Sequence, residues 1–235
     1  MSIEADLGPV VLRAHQLGKK VSSPEGSLTI LSDVSFSISP GESIAVVGPS
    51  GAGKSTLLAL LAGLDVPTTG HVDLNGINLS SLDEDGRARV RADNVGFVFQ
   101  SFHLVQSLNA LENVMLPLEL AGAADAREKA LDIIDKVGLT ERRRHYPAQL
   151  SGGEKQRVAI ARGFATEPAV LFADEPTGNL DARTGSRIME LMFELNRNSS
   201  TTLVLVTHDE SLAVRCNRVL SLDAGRLVSD SREAA

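Results

Sequence analysis

The sequence has a single cysteine, Cys216, and no long hydrophobic run among its 235 residues. One thiol excludes an internal disulfide and any zinc site built from several cysteines. No run approaches the roughly 18 consecutive apolar residues that a membrane span needs. The five histidines are scattered and lack the spacing of metal ligands. Disulfide-rich, membrane-spanning and zinc-finger classes of protein are therefore disfavoured.

Basic residues are also in the minority, because 23 Lys and Arg stand against 30 Asp and Glu, a net charge of -7. This balance argues against a protein whose main partner is nucleic acid. The N-terminal stretch 1–6 is acidic and lacks the basic and apolar regions of a secretory signal. We therefore expect the chain to stay in the cytoplasm and to reach any membrane through a partner.

The clearest motif is a candidate phosphate-binding loop between an apolar strand, Ile44–Val47, and a leucine-rich helix. The pattern G-x-x-x-x-G-K-S in this context is typical of a P-loop, whose glycines free backbone N–H groups to cradle phosphate oxygens. Lys54 supplies charge to the β and γ phosphates, and the Ser55 hydroxyl can bind Mg²⁺. The loop residues predicted to bind nucleotide are Gly48, Ser50, Gly51, Ala52, Gly53, Lys54, Ser55 and Thr56. The stripe predicted to be buried in the helix is Leu57, Leu58, Leu60, Leu61 and Leu64.

Two carboxylates follow a second apolar strand, Ala169–Ala173. Asp174 is placed to hold Mg²⁺, as in other P-loop proteins that hydrolyse nucleotides. Glu175 can orient and deprotonate a water for attack on the γ phosphate. The alternative is that both carboxylates only cap the following turn.

Polar residues end two further predicted strands. Val95–Phe99 leads into Gln100, and Leu203–Val206 leads into Thr207 and His208. In a doubly wound sheet, ligands bind at the carboxyl ends of the strands, so Gln100 and His208 are candidates for the γ phosphate site. Otherwise each is an ordinary loop or structural residue.

A glycine pair lies inside the run Leu150–Arg157. Ser151 and Glu154 form a capping-box pattern, and apolar residues then predict a helix to about Arg162. Gly152 and Gly153 would each cost such a helix roughly 1 kcal/mol against alanine. A backbone without side chains at a helix N-terminus can lie directly against an anion, which explains the glycines.

Other patterns complete the expected organisation. Loop residues at Ser22–Ser27 separate two strand-like regions, and Asn75-Gly76 predicts a type I′ hairpin turn. Asp181 is a predicted N-cap. The loop after Gln100 carries Phe102 and Leu104, which are either buried or part of a docking surface. The helices predicted from the pattern are Asp83–Asp93, Asn109–Leu120 and Ala126–Val137.

With these motifs together, the sequence resembles the ATP-binding subunits of ABC transporters along almost its whole length. Gly48–Ser55 matches Walker A, Gln100 the Q-loop and Leu150–Glu154 the signature motif. The remaining matches are Val170–Asp174 with Glu175 for Walker B and the catalytic glutamate, Asn179–Asp181 for the D-loop, and His208 for the switch histidine. The signature motif separates this family from P-loop kinases and GTPases.

The resemblance implies the fold class: α/β, a P-loop NTPase (RecA-like) core with a mainly parallel sheet, an N-terminal antiparallel β subdomain and an inserted helical subdomain. Residues 1–235 would form a single ABC ATP-binding domain. Within it, the core with the β subdomain would occupy about 1–99 and 161–235, and the helical subdomain about 100–160.

The resemblance also implies a mechanism that needs two chains. ATP and Mg²⁺ are the expected cofactors, with Ser55, Gln100 and Asp174 around the metal. Lys54, Gln100, Glu175 and His208 are the expected catalytic residues. In a head-to-tail homodimer, Ser151 and Gly153 of one chain would contact the γ phosphate bound by the other. Gly152 and Asp181 complete the residues expected to contact nucleotide.

Two runs, Phe97–Phe102 and Ala173–Asp181, resemble the subgroup that contains the LolD, MacB and YbbA proteins. Two others, Leu60–Asp65 and Ser107–Val114, are most similar to the YbbA branch. The implied partner is an integral membrane permease subunit, which would hold this chain as a peripheral protein at the cytoplasmic face of the inner membrane. No nucleic acid is expected. The alternative is a soluble ABC ATPase that acts on a non-transport partner. Val21 aligns with an aromatic residue that usually stacks on adenine in this family, so about 1 kcal/mol of stacking would be missing. We therefore expect this position to discriminate weakly between ATP and GTP.

Overall fold

A computed structural model of the chain describes residues 9–23 and 26–232. The acidic stretch 1–6 discussed above lies outside the described residues. The chain divides into two compact units, one reaching as far as Arg91 and resuming at Thr202, the other comprising Ala92–Thr201. The subdomain limits expected near residues 99/100 and 160/161 remain predictions.

Strands and helices follow the order expected for an α/β chain. The strands are β1 (Leu12–Ser23), β2 (Gly26–Ile38), β3 (Ser43–Val47), β4 (Thr69–Leu74), β5 (Ile77–Asn78), β6 (Val95–Phe99), β7 (Val170–Asp174), β8 (Thr202–Val206), β9 (Arg218–Asp223) and β10 (Arg226–Arg232). The helices are α1 (Lys54–Leu61), α2 (Glu84–Asn94), α3 (Ala110–Leu120), α4 (Ala126–Lys136), α5 (Gly152–Phe164), α6 (Ala182–Asn198) and α7 (Glu210–Ala213). Short 3₁₀ turns occur at Leu79–Ser81, Thr140–Arg142 and Pro147–Gln149.

The first unit contains an antiparallel sheet with the strand order β2-β1-β4-β5. This confirms the antiparallel β region expected near the N-terminus. Asn75 and Gly76 both have positive φ, at 49° and 76°, as the predicted type I′ turn requires. The loop predicted over Ser22–Ser27 is wrong in extent, because Ser22 pairs with Ser27 and Ser23 with Gly26. The hydrogen-bonded pairing of β1 with β2 therefore extends into serine and glycine residues, which are types that favour turns.

The same unit holds the order β10-β9-β3-β8, in which β3 runs parallel to both β8 and β9. The middle of this sheet is fully apolar, and Ile44, Ala45, Val204 and Leu205 have no exposed surface. Such strands are typical of parallel sheets covered on both faces.

Helix α1 contacts β2 and β8. Leu57, Leu58, Leu60 and Leu61 are buried as predicted, whereas Leu64 is 47% exposed and does not belong to the stripe. The reason is local: Gly63 has φ 67° and follows the C-cap, so the chain leaves the helix before Leu64.

The second unit pairs β6 with β7 in parallel and packs three helices, α3, α4 and α5, against one another. Helix α5 also packs on β6. Ala130, Ile134, Val158 and Ile160 are almost completely buried in this unit. The predicted helices in this region are confirmed to within two residues at each end.

Candidate functional site

The candidate phosphate-binding loop of the first unit joins β3 to α1 through glycines in conformations that side chains rarely adopt. Gly48, Gly51 and Gly53 have φ values of 149°, 81° and 99°. A Cβ added at Gly48 would collide with the Leu222 carbonyl oxygen, and one at Gly53 would lie 2.8 Å from Leu31 Cδ2. Only glycine fits at these two positions, so the loop presents bare backbone.

Lys54 opens α1 and folds back over this loop. Its Nζ donates to the carbonyl oxygens of Gly48 at 2.8 Å and Pro49 at 3.0 Å. The N-cap residue, Gly53, makes no side-chain cap to the first turn. Free N–H groups, the helix dipole and an ammonium group therefore converge on one loop, which is the arrangement that binds phosphate oxygens.

His208 belongs to the same unit and follows β8. Val46 of β3 and Val206 of β8 are register partners in parallel strands, so the candidate phosphate-binding loop and His208 leave the sheet at the same edge. Asp209 accepts hydrogen bonds from the backbone N–H and Oγ of Ser211, at 2.8 and 2.6 Å. These bonds, first of all that from the Ser211 side chain, lower the pKa of Asp209. They also fix the chain direction immediately after His208.

In the second unit, Phe99 of β6 is the register partner of Asp174 at the end of β7. Gln100 and Glu175 therefore follow two adjacent parallel strands at the same edge. Glu175 has φ 47°, a left-handed conformation that costs a non-glycine residue on the order of 1–3 kcal/mol. The turn is closed by the Gly178 N–H, which donates to the Glu175 carbonyl at 3.0 Å. Strain of this kind is concentrated at functional positions.

Gln100 and Asn179 exchange two hydrogen bonds. Gln100 Nε2 donates to Asn179 Oδ1 at 3.2 Å, and Asn179 Nδ2 donates to the Gln100 carbonyl at 3.0 Å. A Cβ at Gly178 would lie 2.6 Å from Gln100 Nε2, so a larger residue there would displace the Gln100 side chain. The reciprocal pair orients the Gln100 side chain and ties the Q-loop to the D-loop.

The predicted capping box at the start of α5 is confirmed. Ser151 Oγ accepts from the Glu154 N–H at 3.3 Å, and Glu154 Oε2 accepts from the Ser151 N–H at 2.8 Å. The hydrogen bonds from Ser151 lower the pKa of Glu154, and Arg142, 3.1 Å from Glu154 Oε1, lowers it further. The Glu154 carboxylate thus caps the start of the helix. Gly152 and Gly153 are the residues of the first turn that expose backbone without a side chain.

A groove of about 670 Å³ in the second unit brings the signature motif and the D-loop together. Ser151, Gly152, Gly153 and Asp181 all line it. Asp181 caps α6 as predicted, because its Oδ1 accepts from the Thr184 N–H at 3.0 Å. The cationic side chains that line the same groove are Lys136, Arg157 and Arg187. The carboxylates of Glu154 and Asp181 also line the groove, but both accept capping hydrogen bonds from backbone N–H groups. The bare helix N-terminus is therefore the part of the groove suited to an anion.

The remaining predicted residues fall on both units. Ser50, Ala52, Ser55 and Thr56 lie with Lys54 in the first unit, whereas Gln100, Asp174, Glu175 and the signature residues lie in the second. Val21, in β1, pairs with Leu28 and is 39% exposed. Of the two loop side chains left open above, Leu104 is buried and Phe102 is half-buried.

Two residues that sequence reasoning missed also shape the site. Thr184 lies against Gly153, and Arg162 binds the loop after Gln100. Neither has a local signal, since an arginine or threonine on a helix usually faces solvent. Their contacts depend on which helix face meets which loop.

Across residues 9–23 and 26–232, no group of three or more His, Cys, Asp or Glu side chains could hold a metal ion. The expected Mg²⁺ ligands include only one carboxylate and are not of that kind. Within the same residues, we find no helix with the length and apolar character needed to cross a membrane.

Comparison with known proteins identifies the family. Residues 31–178 match the ABC transporter family. YbbA of Escherichia coli (strain K12), an uncharacterized ABC transporter ATP-binding protein, is 53% identical over 94% of this chain and 98% of its own length. LolD of Legionella pneumophila (strain Lens), the ATP-binding protein of a lipoprotein-releasing system, is 48% identical over the same shares of the two chains.

Solved structures agree with this result. Two dimeric structures of the ATP-binding cassette MJ0796, one of them a post-hydrolysis state bound to ADP and Pi, are 38% identical to this chain. Their TM-scores are 0.86 and 0.87, and they match 95% of this chain and 99% of their own. The fold is therefore that of an ABC cassette, with an antiparallel β region, a parallel sheet and associated helices.

Proposed function

Because the chain belongs to the ABC transporter family and is an ATP-binding, ATP-hydrolysing cassette, we propose that it drives a membrane complex of the lipoprotein-release or macrolide-export kind. Its relatives named LolD belong to a lipoprotein-releasing system and are 47–48% identical to it. ATP use would be coupled to movement of a membrane subunit, and the chain would act at the cytoplasmic face of the inner membrane. The substrate would be selected largely by that subunit.

The observation that carries the proposal is the groove at the start of α5, where Ser151, Gly152 and Gly153 meet the D-loop. A single chain already has a phosphate-binding loop around Lys54, so a second anion-binding helix start calls for a second nucleotide. In a head-to-tail homodimer, Ser151 and Gly153 would contact the γ phosphate held by Lys54 of the other copy. The MJ0796 cassette structures are dimeric, which supports an assembly of two chains.

Within each chain, the candidate residues divide the chemistry. Lys54 would bind the β and γ phosphates while the loop from Gly48 to Thr56 donates backbone N–H groups. Glu175 would accept the proton of the attacking water, and His208 would contact the γ phosphate. The left-handed backbone of Glu175 and the neighbouring turn support a dedicated role for that carboxylate.

The chemistry of Ser55, Gln100 and Asp174 fits Mg²⁺, because a hydroxyl, an amide carbonyl and a carboxylate are all oxygen donors. The Gln100 amide nitrogen is engaged by Asn179, so the oxygen of that amide is the atom available as a ligand. When bound, Mg²⁺ would neutralise charge on the β and γ phosphates. Ser55, Gln100 and Asp174 would hold it and keep the phosphates oriented.

Glu175→Gln tests the proposal. The variant should bind ATP but hydrolyse it at least 100-fold more slowly, since an amide cannot accept the proton, and an ATP-bound dimer should accumulate in light scattering. Glu190→Gln, an exposed position on α6, is the matched control and should hydrolyse ATP at the normal rate. Normal hydrolysis by Glu175→Gln would show that the base is assigned wrongly.

The membrane partner is tested separately. Affinity-tagged chain, purified from detergent-solubilised membranes, should bring an integral membrane protein with it. Recovery of only soluble partners would favour the alternative of an ABC ATPase with a non-transport role.

A further inference from the structure

A guanidinium group is hydrogen-bonded to two successive carbonyl oxygens in the loop that follows Gln100. Arg162, near the end of α5, donates from Nη1 to the His103 carbonyl at 2.6 Å and from Nη2 to the Phe102 carbonyl at 3.0 Å. Phe102 and His103 both have left-handed backbone, with φ 58° and 49°. Two such residues in succession, neither of them glycine, are unfavourable unless the surroundings hold them.

The chemistry of this contact favours a specific role over a chance one. Arg162 is largely removed from water, and this desolvation lowers its pKa. Among the residues that the structure describes, Arg162 pairs with no carboxylate, so the two carbonyl oxygens are its compensating partners. The planar guanidinium offers two donors at a fixed spacing, which a lysine ammonium does not. The arginine and the strained loop therefore stabilise each other.

The loop that Arg162 binds contacts both the D-loop and the signature motif. At its start, Gln100 exchanges two hydrogen bonds with Asn179. Further on, the tip of the Phe102 ring lies 4.0 Å from the position of a Cβ at Gly152, in the signature motif. A different backbone conformation at Phe102 would move this ring and release the end of the Gln100 segment.

We infer that Arg162 is a positioning residue that locks the Gln100–Leu104 loop in one conformation, which fixes Gln100 and keeps Phe102 beside the signature motif. The importance of Gln100 rests on the proposed function. The loop conformation itself can be measured without nucleotide.

The experiment uses the absence of tryptophan from the sequence. Phe102→Trp places a single fluorophore in the loop, and Arg162→Gln and Arg162→Lys are then compared in that background. Arg162→Gln should at least double the acrylamide quenching constant and lower the anisotropy, because the loop is no longer held. Arg162→Lys keeps the charge but loses the two donors at fixed spacing, so its quenching constant should lie between those of the parent and Arg162→Gln. The matched control is Arg197→Gln, an exposed arginine on α6, which should leave quenching unchanged.

Far-UV circular dichroism and the melting temperature identify any variant that fails to fold. If Arg162→Gln does not fold, Arg162→Lys is the variant that tests the inference. Acrylamide quenching of Arg162→Lys equal to that of the Phe102→Trp parent would then overturn it. With the native Phe102, Arg162→Gln should lower kcat for ATP several-fold and change KM by less than about twofold. Arg162→Lys should recover part of that loss. A wild-type complex without ATPase activity would refute the proposed function and leave the quenching result standing.

Discussion

Thr184 of α6 packs so closely against Gly153 of the signature motif that a Cβ at the glycine would lie 2.7 Å from Thr184 Cγ2. At Gly152 the nearest atom to an added Cβ is Leu180 Cδ2 at 3.3 Å. The two glycines are therefore not equivalent. Gly153 is required by its surroundings, whereas Gly152 has a neighbour that can move.

This difference predicts the outcome of alanine substitution. Gly153→Ala should lower the free energy of unfolding by about 1–2 kcal/mol, since overpacking outweighs the gain in helix propensity. Gly152→Ala should be nearly neutral or slightly stabilising. Urea denaturation of both variants measures the difference. Thr184→Ser removes Cγ2 and keeps the hydroxyl, so the double variant with Gly153→Ala should regain most of the lost stability.

The valine at position 21 leads to a prediction about how tightly the protein binds the nucleotide base. Val21→Tyr should raise ATP affinity about fivefold in calorimetry, because a stacked ring contributes about 1 kcal/mol. The wild-type chain should discriminate weakly between ATP and GTP. Val228→Tyr, at a 61% exposed position on β10, is the matched control. Equal effects of both tyrosines would show that Val21 does not contact the base.

Arg218 is a buried cation whose ion pair with the partly exposed Asp230 should contribute strongly to the stability of the β9–β10 hairpin. Its side chain is only 7% exposed, and it contacts both Asp230 oxygens at 2.6 Å. The hydrogen bonds with Asp230 raise the pKa of Arg218. Asp230→Ala removes the closer of two carboxylates from this buried cation, leaving Glu42 at 3.6 Å, and should cost about 2–3 kcal/mol in urea denaturation. Asp132→Ala breaks an exposed pair with Lys136 and should cost less than about 0.5 kcal/mol.

Cys216 provides a pH-dependent reporter of unfolding. Burial raises the pKa of its thiol to about 12, so the folded protein keeps a neutral thiol at pH 9. Iodoacetamide should therefore label the native chain at least 100-fold more slowly than the urea-unfolded chain, and Cys216→Ala should abolish labelling. Because the unfolded thiol ionises near pH 8.5, its contribution to stability is present below that pH and is lost progressively as the pH rises toward 12. Rapid labelling of the native protein would contradict the burial of this thiol.

Much of the fold and the candidate site was predictable from local patterns. Ser151 with Glu154 and Asp181 with Thr184 are caps that span three residues, so their hydrogen bonds follow from the sequence alone. The glycine-rich loop before Lys54 lies between a strand and a helix as predicted. Leu64 was predicted wrongly because a helical stripe does not reveal where Gly63 ends the helix.

The sequence by itself determined the family, the nucleotide-binding motifs and the strand-and-helix order, because each is written in neighbouring residues with fixed spacing. Tertiary structure alone decided which glycine faces Thr184, how Gln100 pairs with Asn179, and that Arg162 holds the loop after Gln100. These contacts join residues 31 to 79 positions apart. They depend on which faces of separate helices and loops meet in the folded chain, and no local pattern encodes that choice.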